Sequence, residues 1–396
     1  MHEGDAGGHR RECRGAADRI VRRRRASLPS PPMLRALLTA ALAVLVAAAP
    51  AAAAERRVPQ GWLGVVADGP VTGADAAEWD GMVAAGAESV RIGAFWDRLQ
   101  PSGPDSTDFS ALDATVAAAA RRRLAVLPVV QSTPAWAARR PGEPGSPPAD
   151  PATFAALLSA LVARYGPQGS LWAERPDLPR LPVRTWQVWN EPNLPGYWSE
   201  QPFARSYVRL LRAADAALSA ADPAATLVLG GLPNFSWKAL ASVYRAGGGG
   251  HFDAVALHPY TRRPAEVLRI VQYVRRVMRR HGDRRLPVWI TELSWPAGKG
   301  RVAGPRGFEV TEARQAARLD TALRQLAAAR KRLRIARVFW YTWLSVEGPA
   351  SVFDWSGLRR VRDGRRVNAP ALAAFRRRAR WLEGCAKAPG DATRCR

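Results

Sequence analysis

Two segments of this chain run apolar and aromatic residues straight into a glutamate: Thr185-Trp186-Gln187-Val188-Trp189-Asn190-Glu191-Pro192-Asn193, and Val288-Trp289-Ile290-Thr291-Glu292-Leu293-Ser294-Trp295-Pro296. Each reads as a strand that stops at an acid. Alternation places Gln187, Trp189 and Glu191 on one side and aligns Glu292 with Val288 and Ile290, while Pro192 prevents further regular pairing. A carboxylate in that position is costly to bury unless it faces a cleft. Two acids on one cleft suit the cleavage of an acetal: one protonates the poor leaving group, and the other meets the oxocarbenium-like charge from the opposite side of the ring. With the carboxyl groups about 5–5.5 Å apart the second acid attacks directly and configuration is retained; a wider gap admits water and inverts it.

Those side chains need a frame, and the pattern around them supplies one. From Trp62 onward β-branched or aromatic runs alternate with Ala/Leu/Arg stretches of helical period. Strands are expected near 62–66, 89–95, 124–130, 183–190, 226–231, 252–258, 286–292 and 335–343. Between them apolar residues fall at i, i+3, i+4, i+7, as in Leu112, Thr115, Val116 and Ala119, in Tyr207, Leu210, Leu211 and Ala214, or in Val267, Ile270, Val271 and Val274. Eight such units without a linker predict an α/β fold, the (β/α)8 TIM barrel, over about 55–384. A doubly wound open sheet is the fold alternative, but its glycine loop is missing. Arg139 to Pro148 reads as a loop after strand 3, and Gly247 to Gly250 as a tight link before strand 6. The long loops, after strands 3, 4, 7 and 8, lie on the face where this architecture carries its chemistry.

With these motifs placed, the chain resembles the clan A retaining glycoside hydrolases, especially the β-xylosidase-like and cellulase-like members of family 39 and its relatives. The likeness rests on Asn190-Glu191-Pro192 and Thr291-Glu292. It continues through Ser89-Val90-Arg91 to Trp96 and Pro101, Asp108-Phe109 with Leu112-Asp113, and Thr133-Pro134-Ala135-Trp136, and spans about residues 60–345. The resemblance implies a β-glycosidase acting on a polysaccharide or oligosaccharide, with Glu191 as general acid/base and Glu292 as nucleophile. It further implies that Asn190 bonds the sugar 2-hydroxyl, that Arg91 holds Glu292 ionised, and that His258 and Tyr260 border the nucleophile and the sugar. Trp343 would be the floor on which the sugar stacks, with Trp295 and Trp136 as side walls. For each there is a plainer role: ion pairing for Arg91, packing for His258 and Tyr260, core filling for the tryptophans. A transglycosylase, or a carbohydrate-binding barrel without turnover, would carry the same residues.

Composition narrows the remaining classes. The formal charge of +25 comes from 59 Lys+Arg against 34 Asp+Glu, with only Lys238, Lys299, Lys331 and Lys387 as lysines. The arginines spread over nearly every expected helix rather than one groove-reading face, which argues against a nucleic-acid partner. No residue cluster implies a metal or other cofactor. Met33-Leu34-Arg35, an uncharged stretch from Ala36 to Ala49 and Ala52-Ala53-Ala54 have the layout of a signal peptide over 33–54, cut before Glu55, so a secreted protein without stable membrane insertion is expected. An uncleaved N-terminal anchor is the alternative. Residues 1–32 lack hydrophobic periodicity, and Met33 is a candidate true start. Cys385 and Cys395 in the short tail 385–396 are either bridged or free.

Overall fold

The computed structural model describes residues 55–385. Eight parallel strands close into a barrel: β1 (Leu63–Val66), β2 (Ser89–Phe95), β3 (Ala125–Gln131), β4 (Thr185–Asn190), β5 (Thr226–Pro233), β6 (Val255–His258), β7 (Val288–Ile290) and β8 (Ile335–Trp340). Closure is made by β8 pairing with β1, Val338 opposite Leu63 and Trp340 opposite Val65. One principal helix follows each strand, from Ala76–Ala84 after β1 to Pro370–Glu383 after β8. The expected (β/α)8 barrel is therefore what the chain forms. The signal segment, residues 1–32 and Cys395 lie outside the described residues; Cys385 is disulfide-bonded. Among the described residues no helix is long and apolar enough to cross a membrane.

Alternation along the strands builds two apolar layers. Val66, Leu127, Val228, Ala254, Ala256, Trp289 and Phe339 pack inside the barrel. Val65, Val90, Ile92, Trp186, Val188, Val288 and Ile290 join the larger layer between barrel and helices. At about 25 cal/mol per Å² of apolar surface removed from water, these layers are the dominant favourable contribution to the fold.

Between β8 and the last helix, where the sequence suggested only a long loop, the chain forms a small sheet of β9 (Leu344–Val346), β10 (Arg359–Arg362) and β11 (Arg365–Asn368). The β10–β11 hairpin turns through Asp363-Gly364, both at positive φ (49° and 72°), the Asp-Gly signature of a tight hairpin. Arginines fasten this sheet to the barrel. Arg360, buried, pairs with Glu312 and Glu347, while Arg359 and Arg366 converge on the fully buried Glu78.

Candidate active site

At the end of β4 the backbone departs from simple alternation. Gln187 points into the barrel, where its Oε1 accepts from Arg91 Nε at 3.1 Å, and Trp189 should follow it. Instead Trp189 adopts φ +71° and turns outward, packing edge-on against Trp198 at 5.0 Å and donating its indole N–H to Tyr197 O. The β4–β5 ladder skips it, pairing Val188 with Leu229 and then Asn190 with Gly231. The hydroxyl of Tyr207 fills the missing rung, donating to Val188 O at 2.8 Å and accepting from Gly230 N at 2.7 Å. Asn190 and Glu191 thereby both reach the barrel mouth, with Glu191 itself at φ +45°. Left-handed backbone at a non-glycine residue costs on the order of 1–3 kcal/mol, so two such residues at one strand end mark a site held in place by its surroundings.

The end of β7 is simpler. The strand stops at Ile290, two residues earlier than the pattern suggested, and Thr291 and Glu292 both turn inward. Alternation would have sent Glu292 toward the helices with Val288 and Ile290; the early stop releases it.

Arg91, on β2, ties the two ends together. Its Nη1 donates to Glu292 Oε1 at 2.8 Å and its Nη2 to Asn190 Oδ1 at 2.7 Å. Because guanidinium only donates, the Asn190 oxygen must face it, which leaves the amide N–H groups of Asn190 for the cavity. Tyr260 donates its hydroxyl to Glu292 Oε2 at 2.6 Å. His258 Nδ1 lies 2.6 Å from Glu191 Oε1 and 3.5 Å from Glu292 Oε2, and its Nε2 lies 3.0 Å from Thr291 Oγ1. The imidazole has room only because Gly231 faces it: a Cβ there would lie 2.0 Å from His258 Nε2. One oxygen of each glutamate and a His258 nitrogen all fall within 4.8 Å of one another.

The two carboxyl groups are equally buried, and their neighbours separate them. Burial pushes Glu191 up to about 7, against the opposing fields of Arg91 and Arg306. Glu292, by contrast, is in direct contact with a guanidinium and a phenol. Burial drives His258 down to about 3, with Arg91 adding to the effect and Glu292 opposing it, so the imidazole between the acids is neutral. Burial, reinforced first by the charge of Glu292, also holds the Tyr260 hydroxyl well above the ordinary phenol range, keeping it a donor.

These groups line a cavity of about 770 Å³ at the C-terminal mouth of the barrel. Arg91, Asn190, Glu191, Tyr260 and Glu292 form its floor, with His258 buried directly behind them. The structure does not bring the three tryptophans to it. Trp343 is fully buried and gives its indole N–H to Glu78 at 2.7 Å, anchoring the chain after β8 to helix Ala76–Ala84. Trp295, also fully buried, donates to Thr261 O, and Trp136 sits edge-on to Trp96 and donates to Gln100 O. Aromatic rings facing the cavity come instead from Phe95, Tyr197, Tyr260, Phe308, Tyr341 and Phe353.

Those rings, apart from Tyr260, escaped the sequence reading, as did Asp68 and Arg306. Asp68 follows β1, accepts from Thr342 Oγ1 at 2.8 Å, and is raised by burial, with Thr342 and Arg91 opposing. Its signal was present: Leu63-Gly64-Val65-Val66-Ala67-Asp68 is another apolar run ending in an acid. Arg306 and Tyr341 had no such signal; they arrive from the loops after β7 and β8.

Glu191, His258 and Glu292 are also the one group among the described residues whose spacing could admit a metal ion. Their electrostatics oppose it, since Arg91 already neutralises Glu292 and burial favours the uncharged form of Glu191.

No family model matches this chain, and no curated protein matches it. Solved structures do. A family 39 glycoside hydrolase from the gut symbiont Bacteroides cellulosilyticus superposes with a TM-score of 0.64 at 20% identity, covering 83% of this chain and 64% of its own. This chain thus spans less than two thirds of that protein's length. A monomeric β-xylosidase from Caulobacter crescentus gives 0.60 at 19% identity, covering 82% of this chain and 69% of its own. A glucosidase from Croceicoccus marinus gives 0.59 at 16% identity, covering 83% and 69%. At these identities the likeness is one of fold.

Proposed function

We propose that this protein is a retaining β-glycosidase, exported through the segment at 33–54, in which Glu191 is the general acid/base and Glu292 the nucleophile. The observation that carries the reading is the pairing itself: two buried carboxyl groups with oxygens within 4.8 Å across one barrel mouth, one held by Arg91 and the other kept protonated by burial. That spacing suits direct attack better than a water-mediated inversion. The solved structures of like fold include a β-xylosidase and a glucosidase, so β-xylosides and β-glucosides are the first substrates to try.

In the first step Glu191 gives its proton to the glycosidic oxygen as the bond from that oxygen to the anomeric carbon breaks. A Glu292 oxygen forms a new bond to the same carbon, giving a covalent glycosyl-enzyme. Departure of the aglycone leaves Glu191 ionised, and it then takes a proton from the water that displaces Glu292 with net retention. Arg91 and Tyr260 hold the nucleophile, one on each oxygen, so attack costs little reorganisation. Asn190 offers an N–H to the sugar 2-hydroxyl, a contact that strengthens as positive charge develops on the ring. The neutral His258 keeps Glu191 aimed without adding a second charge to the site.

A panel of aryl β-glycosides and polysaccharides followed by proton NMR tests the reading, because the first anomer released reports stereochemistry along with activity. Retention is expected; release of the inverted anomer overturns the direct attack. Sequencing the mature amino terminus checks export, and an end upstream of Met33 counts against it.

A further inference from the structure

A second cavity, of about 530 Å³, opens beside the first and shares with it the side chains of Phe95, Gln131 and Tyr197. Its other walls come from the loop after β3, including Thr133, Pro134 and Ala135 of the motif that the catalytic site left unused, and from Trp189 and Gly196 after β4. Glu191, Glu292 and Arg91 do not line it, so nothing bound there could react.

The cavity is built rather than incidental. The loop after β3 is bridged to itself by Arg139 N to Pro147 O and Ala149 N to Ala137 O, both 2.9 Å, and to the loop after β4 by Ser199 N to Gly145 O at 2.8 Å. Gly145, at φ +72°, permits that approach: a Cβ there would lie 2.8 Å from Gly196 O. Tyr197 stands between the cavities with 45% of its surface exposed. Its ring offers an apolar face, and its hydroxyl stays a donor because burial and then the charges of Glu191 and Glu292 hold it protonated. The wall also carries the carboxylate of Asp97 and the hydroxyl of Thr133, whose Oγ1 has no partner among the described residues. An aromatic face flanked by hydroxyl, amide and carboxylate groups matches the C–H faces and hydroxyl rims of a sugar, and suits a purely apolar ligand poorly.

Resting on the glycosidase reading, we infer that the second cavity binds additional sugar units of an oligosaccharide whose reacting unit lies between Glu191 and Glu292, with Tyr197 as the shared platform. Binding energy gathered there is spent on orienting the reacting unit. The protein then works on chains in preference to isolated glycosides.

The test compares para-nitrophenyl β-xyloside and β-glucoside with xylo- and cello-oligosaccharides up to the pentaose. The two variants, Gly196→Trp and Ala135→Trp, fill the second cavity. Both sites take bulk without touching the reacting groups: a Cβ on Gly196 meets open space, and Ala135 is exposed. Wild-type kcat/KM should rise by about tenfold or more with chain length, the equivalent of about 1.4 kcal/mol of remote binding. Both variants should lose that rise while turning over the aryl glycosides unchanged, with thermal melts confirming that they fold. Equal kcat/KM for short and long substrates, or a chain-length gain that survives both fillings, overturns the inference. If no glycoside at all is turned over, the glycosidase reading fails separately, and calorimetry with Glu292→Gln protein then decides the cavity. Pentaose binding that exceeds monosaccharide binding and is lost in Gly196→Trp supports it; binding that ignores chain length sinks it.

Discussion

The ends of β4 and β7 each deliver a glutamate to the same cavity by different means. At β4 the chain keeps two residues in left-handed backbone, drops one rung of the ladder and uses the Tyr207 hydroxyl in its place. At β7 the strand just stops. The electrostatics differ in the same sense. Glu292 meets a cation and a phenol, whereas Glu191 meets one neutral imidazole and is otherwise enclosed. The comparison teaches that identical, equally buried side chains acquire different electrostatic surroundings through their partners, as the proposed division into acid and nucleophile requires.

The largest expected effect breaks the β7 side. On the proposed mechanism Glu292→Gln replaces the attacking carboxylate by a neutral amide and should lower kcat on the order of 10⁴-fold or more, by analogy with losses seen on removing catalytic groups that act as a unit; steady-state rates on an aryl glycoside measure it. On the β4 side, Glu191→Ala should cost about 10²–10⁴-fold with poor leaving groups and much less with activated aryl ones. The sign of its pH dependence follows from the raised carboxyl. The proton needed for catalysis is present below about 7 and lost as pH rises through it. Wild-type kcat/KM should therefore fall on that limb, and Glu191→Ala should abolish the limb.

Tyr207→Phe sharpens the comparison without touching either acid. It leaves Val188 O and Gly230 N without their partner, which should destabilise the fold by about 1–3 kcal/mol in a denaturant titration. It should also lower kcat through looser placement of Glu191. An unaltered stability would mean that the β4 distortion is self-supporting. Smallest is Arg306→Ala: its positive field holds Glu191 down, so removing it should move the alkaline limb slightly upward.

The fold was legible because period and composition are local. Strand expectations such as 89–95 and 226–231 agree with the barrel to within a residue or two, since β-branched runs and helical apolar spacing reflect which face each residue buries. The small sheet after β8 was missed although Asp363-Gly364 carries a hairpin signal; its flanking strands are arginine-rich and hold by ion pairs to Glu78, Glu312 and Glu347, which alternation does not register. In the site, the positions of Glu191 and Glu292 were readable as acids ending apolar strands. The tryptophans misled because residue type says nothing about direction: Trp343 lies three residues past the end of β8, in a stretch where alternation no longer holds, and its indole found Glu78 rather than the cavity.

The sequence by itself determined the barrel and the two acids at its strand ends, because hydrophobic burial and strand period act over a few residues and leave their imprint there, while Arg91 was reached only through the family resemblance. Only the tertiary structure decided which side chains face the cavity. The inward turn of Asn190 together with Glu191 depends on a hydroxyl from helix Ala204–Ala221, and the seat of His258 on a glycine of the neighbouring strand. The aromatic walls come from loops far apart in the chain. Such contacts join distant segments, so their energies appear only once the barrel has closed.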